Sequence, residues 1–556
     1  MRMYKQQFIL LPETKLISML RKRLFNLSLI LVTGLLLSQT PMSQKPNIII
    51  ILADDMGFSD LGSFGSEINT PNLDAMAKGG LKMTNFYNTS RCCPTRASLL
   101  TGVYPQQAGV GHMVNEREHP SYRGMLSEEC VTIAEVLQEN GYSTFMTGKW
   151  HLNARPEQWP VKRGFDRYFG LLDGANSYFE NRPYRPNQKL TYALDNKEYT
   201  PGKGFYATDA YTDYAIQFIE ENRAKDKPFF LYLAYTAPHW PLHALPEDIA
   251  RYKGKYLKGW DKLRTERFKR MQALGVISKK EQLSPRDEEV PAWESLTEEE
   301  KLRWDDKMAV YAAMVDRMDQ NIGKLRAKLK EMGADKNTII MFLSDNGGSY
   351  ENINEPGFTQ EIREANKKLA SDPTSFTAYE FEGANLSNTP FRKFKRWEHE
   401  GGISTPFIAY YPGVVKAGKV NHQPAHVIDL MTTSLDLAGA NYPGTYRGNR
   451  IKPMEGTSLV PLLKGQKWAG HKEIFFEHEG NRAVRQGDWK IVSVFPENTW
   501  ALYNLTNDRS ELHDLSSQHP EKVKELSQLY DAWAKHANVV PFVQLLEMDK
   551  QKKQKP

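Results

Sequence analysis

Residues Asn47–Ala53 read NIIIILA, an unbroken apolar run that stops at two acids, Asp54 and Asp55. A run with no polar alternation predicts a central strand of a parallel sheet covered on both faces. Four more strands are expected at Tyr142–Thr147, Phe229–Tyr235, Thr338–Leu343 and Pro406–Tyr411. Between them the period changes. In Lys307–Lys330 the apolar positions Met308, Tyr311, Val315, Met318, Ile322, Leu325 and Leu329 recur at helical spacing. Strand–helix alternation over roughly 400 residues predicts one large α/β domain. The stretch Tyr252–Lys301 is highly charged and weakly apolar, and is expected as an insertion of surface helices and loop. After Gly465 the pattern shortens into EIFFEHEG, RAVRQGDWKIVSVF and WALYNLTND, which predict a small antiparallel sheet. An amphipathic helix near Pro520–His536 and a frayed tail, KQKKQKP, complete the chain.

The first 44 residues read differently. Arg21, Lys22 and Arg23 precede the apolar run Leu24–Leu37, which is followed by small and polar residues at Ser38–Ser43. This is the layout of a secretory signal peptide, and the run is too short for a comfortable membrane span. Met19 starts a more typical signal, with residues 1–18 as an extension. The expected division is therefore a signal peptide at 1–44, the large domain at 45–465 and a C-terminal α+β subdomain at 466–556, with export to the periplasm or beyond. Removing the segment takes away six basic residues and one acid, a net +5, so the formal +6 falls to +1. No long basic tract remains, which gives a nucleic-acid partner no support. Three cysteines cannot build a disulfide framework.

Chemistry gathers just past the expected strands: Asp54 and Asp55, Lys149 and His151, His239, then Asp345 and Asn346. Taken singly, each has a bland reading, since SDNGG suits a turn and a paired acid suits a helix cap. Together they fall on the edge where open α/β sheets bind ligands. Three carboxylates and an amide are hard oxygen donors, which favour calcium or magnesium over zinc. Arg96, Lys149, His151, His239 and Lys395 would then frame an anion beside the metal, which suits phosphate or sulfate.

The cysteines narrow this further. Cys92 to Gly102, CCPTRASLLTG, resembles the signature of type I sulfatases: cysteine, any residue, proline, serine or threonine, and arginine, followed by leucine-threonine-glycine. The resemblance runs from about Asn47 to Leu515 through ADDMG (53–57), TGKWHL (147–152), APHWP (237–241), SDNGG (344–348) and KRWEHEGG (395–402), and is nearest to bacterial arylsulfatases. It implies an alkaline phosphatase-like α/β fold, with a large mixed sheet flanked by helices and a small C-terminal antiparallel sheet. It also implies that Cys92 is oxidised to formylglycine by a maturation enzyme before folding, and that Cys93 fills the variable slot as a packing neighbour. Cys130 is expected in the core.

The resemblance further implies a site residue by residue. Asp54, Asp55, Asp345 and Asn346 hold calcium with a formylglycine oxygen from Cys92. Arg96 holds the formylglycine, Lys149 binds sulfate, and Asp345 takes the attacking hydroxyl's proton. His151 takes the proton of the second hydroxyl of the hydrated aldehyde, which expels sulfate without attack by water. His239 and Lys395 contact the bridging oxygen, and one of them protonates the leaving alcohol. KRWEHEGG lacks the glycines that often flank this lysine, and Lys393 lies two residues away. His112 and the FEHEGN segment, with His478, Glu479 and Asn481, are expected at the substrate rim. The implied activity is calcium-dependent hydrolysis of O-sulfate monoesters, of sulfated sugars and aryl sulfates. Its rivals are a phosphatase or phosphonate monoester hydrolase on the same fold, and a non-catalytic sulfoglycan-binding protein.

Overall fold

The structure is a computed structural model that describes residues 45–554. The expected signal segment lies outside the described residues. Strand β1 (Asn47–Ala53) occupies the apolar run, and Ile48 to Ala53 are all fully buried. Its alternate side chains feed two separate cores: Ile49, Ile51 and Ala53 enter one, and Ile48, Ile50 and Leu52 the other. A strand covered on both faces has no polar face to alternate with, which explains its continuous sequence.

The sheet is completed by β2 (Leu81–Tyr87), β3 (Ser143–Gly148), β4 (Arg167–Leu171), β5 (Tyr192–Leu194), β6 (Lys197–Tyr199), β7 (Phe229–Ala234), β8 (Thr338–Ser344), β9 (Ser404–Tyr410), β10 (Lys419–Asn421) and β11 (Ala425–His426). Their order is β10-β2-β9-β8-β1-β7-β3-β4-β5-β6, with β11 also paired to β2. The centre, β8-β1-β7-β3-β4, is parallel. β9 is antiparallel to both β8 and β2, and β5 and β6 turn back antiparallel at the far edge. The sheet is mixed around a parallel heart.

Helices α1 (Pro71–Gly79), α2 (Cys92–Thr101), α3 (Ile133–Glu139), α4 (Ala207–Asn222), α5 (Trp260–Ala273), α6 (Glu298–Glu331) and α7 (Asp429–Ala438) cover its faces. α1, α4, α5 and α6 bury Leu73, Phe218, Leu263 and Met314 in the first core, while α2, α3 and α7 bury Leu99, Val136 and Leu430 in the second. α6 begins at Glu298, ahead of its apolar stripe, because Thr297 and Glu300 close a capping box: each side chain accepts the other's backbone N–H, at 3.2 and 2.8 Å.

The charged stretch Tyr252–Lys301 is not merely a surface insertion. Trp260 of α5 and Trp293 pack edge to face with each other and with Trp304 of α6, their ring centroids 5.0 to 5.6 Å apart. Arg267 is fully buried and pairs with Asp60 at 2.7 Å and Glu67 at 2.8 Å. A few large aromatic rings anchor the segment where its average composition conceals them.

Beyond a short ribbon, β12 (Thr445–Tyr446) and β13 (Asn449–Arg450), lies a separate antiparallel sheet of β14 (Glu473–His478), β15 (Asn481–Gln486), β16 (Trp489–Ser493) and β17 (Trp500–Asn504). Helix α8 (Pro520–His536) covers one face, packing Leu526, Tyr530 and Trp533 on Val484, Ile491 and Leu502. The other face packs Phe476, Ala483 and Val492 on Tyr87 and Ile403 of the large sheet's side. A buried ion cluster reinforces that junction. Lys490 Nζ lies 2.9 Å from Glu400 and 2.9 Å from Glu511, and Arg509 lies 2.8 Å from Glu400. Of the tail expected to fray, residues 550–554 are helical at the end of α9 (Phe542–Gln554), where Arg117 holds Asp549 at 2.7 Å; Lys555 and Pro556 lie outside the described residues.

Candidate active site

Parallel strands open their carboxyl ends on one edge, and the polar residues that follow them converge there. β1 delivers Asp54 and Asp55, β3 delivers Lys149 and His151, β7 is followed by His239, and β8 delivers Asp345 and Asn346. Asp55 and His151 sit in left-handed backbone conformations, with φ of 62° and 51°. That local cost, about 1–3 kcal/mol each, is sustained only where surrounding structure fixes the turn. The paired glycines of SDNGG and HEGG answer to close packing of their two loops. A Cβ on Gly347 would meet Gly401 O at 1.8 Å, and one on Gly402 would meet Trp397 O at 1.9 Å.

The stretch after β2 supplies the centre. Arg91 is extended, and α2 starts at Cys92 with Pro94 in its first turn, where no intrahelical N–H is needed. Thr95 Oγ1 donates to Asp345 O at 2.6 Å and accepts from Thr89 N at 3.1 Å, tying the helix start to the end of β8. Arg96 is fully buried. Its Nε and Nη2 donate to Asp345 Oδ2 at 3.1 and 2.7 Å, and its Nη1 to Lys149 O at 2.9 Å. Cys92 therefore faces a cavity of about 630 Å³ that His151, His239 and Lys395 also line.

Charges alternate around it. Lys149 Nζ donates to Asp54 Oδ2 at 2.7 Å, Lys395 Nζ to Asp55 Oδ2 at 2.9 Å and to Glu351 Oε2 at 3.0 Å, and Asn346 Nδ2 to Asp55 Oδ1 at 2.6 Å. Lys393, the neighbouring candidate, points away to Asp287 at 3.2 Å. Burial pushes Asp54 up to about 6. Burial and the Asp54 charge push Asp345 up to about 7. Burial holds His151 and His239 down at about 4, so both are neutral near pH 7. Burial opposes the Lys395 ammonium, but Asp55 and Glu351 outweigh it and hold its pKa up. The hydrogen bond from Cys93, then Lys149 and His151, holds the Cys92 thiol well below its usual range.

This donor set fits a hard cation. Asp54, Asp55 and His239 each bring a donor atom within 4.8 Å of the others. Asp54 Oδ1 and Asn346 Oδ1 are buried without a hydrogen-bond partner. Asp345 is more engaged, one oxygen accepting from Arg96 and the other from Asp55 N at 3.1 Å, yet each keeps lone-pair capacity. Raised carboxylate pKa values and orphaned oxygens are what a cation would relieve.

The walls include residues outside the sequence expectation. Arg91 pairs with Glu351 at 3.0 Å, Trp240 Nε1 donates to Glu351 at 2.7 Å, and Asp173 and Gly174 line the cavity beside His151. Arg91 is signalled only by its place next to Cys92, and Glu351 by its place just past SDNGG. His112 is in the wall, bound to Glu479 at 3.2 Å. The expected rim of His478, Glu479 and Asn481 is corrected. Only Glu479, at the turn tip between β14 and β15 with φ 51°, reaches the cavity. His478 is buried and stacked on His112, and Asn481 donates to Arg396 O at 3.3 Å.

Comparison with known proteins places the chain. The sulfatase family model matches residues 46–440, and that of the N-sulphoglucosamine sulphohydrolase C-terminal region matches 391–535. The chain is 36% identical to an arylsulfatase of Klebsiella aerogenes over 448 residues, covering 78% of this chain and 95% of the relative. It is 31% identical to N-acetylgalactosamine-6-sulfatase of Mus musculus over 497 residues, covering 85% and 76%. Among solved structures, that of Ps i-CgsB in complex with k-i-k-neocarrahexaose aligns with a TM-score of 0.65 and 29% identity, over 88% of this chain and 93% of the other. With the mixed sheet, the separate antiparallel sheet and these matches, the chain belongs to the sulfatase family, as a type I sulfatase that hydrolyses sulfuric esters.

Proposed function

We propose that the protein is a calcium-dependent sulfatase, exported by its N-terminal segment, whose nucleophile is a formylglycine made from Cys92 by a maturation enzyme. Its substrates are O-sulfate monoesters of carbohydrates, with aryl sulfates as surrogates. The observation that carries this is the position of Cys92: first residue of α2, facing the cavity between the oxygen donors and the Lys149–His151 pair. Asp54, Asp55, Asp345 and Asn346 would hold the calcium, which would supply Lewis acidity to the site. The hydrated aldehyde supplies two hydroxyls where serine has one.

The chain's own side chains do the rest. Lys149, charged and fully buried, neutralises a sulfate oxygen, while Arg96 fixes Asp345, which takes the attacking hydroxyl's proton. His151 is neutral and hydrogen-bonds the Cys92 side chain, which places it to accept a proton from the group there and release sulfate. His239 Nδ1 meets Trp240 O at 2.6 Å, which places the neutral ring's one proton on Nδ1 and leaves Nε2 as an acceptor. Lys395 keeps its ammonium charged, so of the two it has the proton to give the leaving alkoxide. The carbohydrate assignment is supported by the relatives named for sulfated sugars and by a cavity large enough for a sugar ring. Export is supported by the basic–apolar–polar order of residues 21–43. Among the described residues no helix is long and apolar enough to cross a membrane.

Peptide mass spectrometry with turnover tests the reading. The Cys92 peptide of active enzyme is expected to be lighter than the thiol form, having lost the elements of hydrogen sulfide and gained one oxygen. Cys92→Ala should abolish aryl-sulfate hydrolysis with the fold intact, and chelation should stop turnover until calcium, rather than zinc, is returned. Full activity from protein whose Cys92 remains a thiol, or in excess calcium chelator, overturns it.

A further inference from the structure

Beside the oxygen donors lies a chemically different group that includes Cys92. Cys92, Cys93 and His151 are all buried, and each brings a donor atom within 4.8 Å of the others. Cys93 Sγ also lies 3.9 Å from Met113 Sδ. Two thiols, an imidazole and a thioether thus meet beside the cavity, which Met113 and His151 line. His151 Nδ1 is buried with no hydrogen-bond partner, a state that buried ring nitrogens rarely keep. Sulfur and imidazole select soft cations and discriminate against calcium.

We propose that the unconverted chain, with Cys92 still a thiol, carries a soft-metal site formed by Cys92 Sγ, Cys93 Sγ and His151, with Met113 Sδ as a weak neighbour. A divalent soft cation forms two metal–thiolate bonds and one metal–nitrogen bond and displaces to solvent the thiol protons still present, with no change of oxidation state. Metal–ligand bonds of about 2.0–2.3 Å require the three donors to close by side-chain rotation, and leave a fourth position open to the cavity. Converting Cys92 to an aldehyde deletes one thiolate, so the site belongs to the precursor alone. Cys93, expected to serve only packing, is then a ligand. Its confinement to the precursor rests on the proposed conversion of Cys92; metal binding by the thiol form does not.

The test is a cadmium(II) titration of folded protein made without the maturation enzyme, in excess calcium to fill the oxygen donors. One equivalent should bind, with a thiolate-to-cadmium charge-transfer band in the ultraviolet and slowed alkylation of Cys92 and Cys93. Cys93→Ser should weaken binding by about tenfold or more and reduce the band, and His151→Ala should weaken it about tenfold. Cys130→Ser should change neither, and converted protein should lose the tight site. A band that survives Cys93→Ser, disappears with Cys130→Ser, or never forms overturns the proposal. Should Cys93→Ser fail to fold, alkylation of the native chain decides: unprotected Cys93 at saturating cadmium is equally fatal.

Discussion

Gly174 has no side chain, and the ring of His151 occupies the space that one would need. A Cβ there would lie 2.5 Å from both Cε1 and Nε2 of His151. The ring can swing away, so Gly174→Ala should leave the melting temperature nearly unchanged while lowering kcat on aryl sulfates by about 10–100-fold, since small misplacements of a proton-transfer group are costly. Near-normal turnover would mean that His151 tolerates displacement and has no proton to carry. Gly174 is illegible in the sequence because it belongs to the segment after β4, and only folding brings it to His151. Lys395 is legible from KRWEHEGG, but its separation from Lys393 comes from the backbone: Lys393 has φ 65° and Arg396 φ 89°, twists that turn successive side chains to different partners.

At the scale of elements, continuous apolar runs and long regular stripes announce themselves, and short irregular patterns do not. β1, β3, β7, β8 and β9 are readable, whereas β2, LKMTNFY, is not. Its pairing with β9 shifts register between Met83 and Phe86, and that irregularity breaks the alternation a strand pattern relies on. α5 is concealed because charge dominates its composition, although its burial rests on Trp260, Leu263 and Met271. Trp260→Ala should therefore destabilise the protein by about 3–5 kcal/mol, read from urea unfolding, as a core aromatic does. A loss below about 1 kcal/mol would return the segment to the surface role its composition suggests.

The molecule as a whole should respond to pH through a carboxyl group outside the chemistry. Burial raises Glu398 to about 8 from 4.5; Ser90 Oγ donates to one of its oxygens at 2.7 Å, and the other has no partner. The folded state holds this proton more tightly than the unfolded chain. The stabilisation is thus complete below pH 4.5, declines as pH rises, and is gone above about 8. Melting temperature measured across that window should fall, and Glu398→Gln should flatten the fall; an unchanged slope would show that Glu398 does not hold the proton. The whole fold is largely legible because a family signature ties together strand ends far apart in sequence, while the junction through Lys490, Glu400 and Glu511 is not, since buried ion clusters leave no periodic trace. That same long reach has a consequence for synthesis. Asn47 of β1 meets Phe229 and Thr338 across separations of 182 and 291 residues. At about 5–20 residues per second, an uncharged isoleucine run waits roughly 15–60 s on the ribosome-bound chain for its second neighbour. Such a segment is an aggregation hazard while exposed, so yield in a foreign host should depend on chaperones holding the nascent chain.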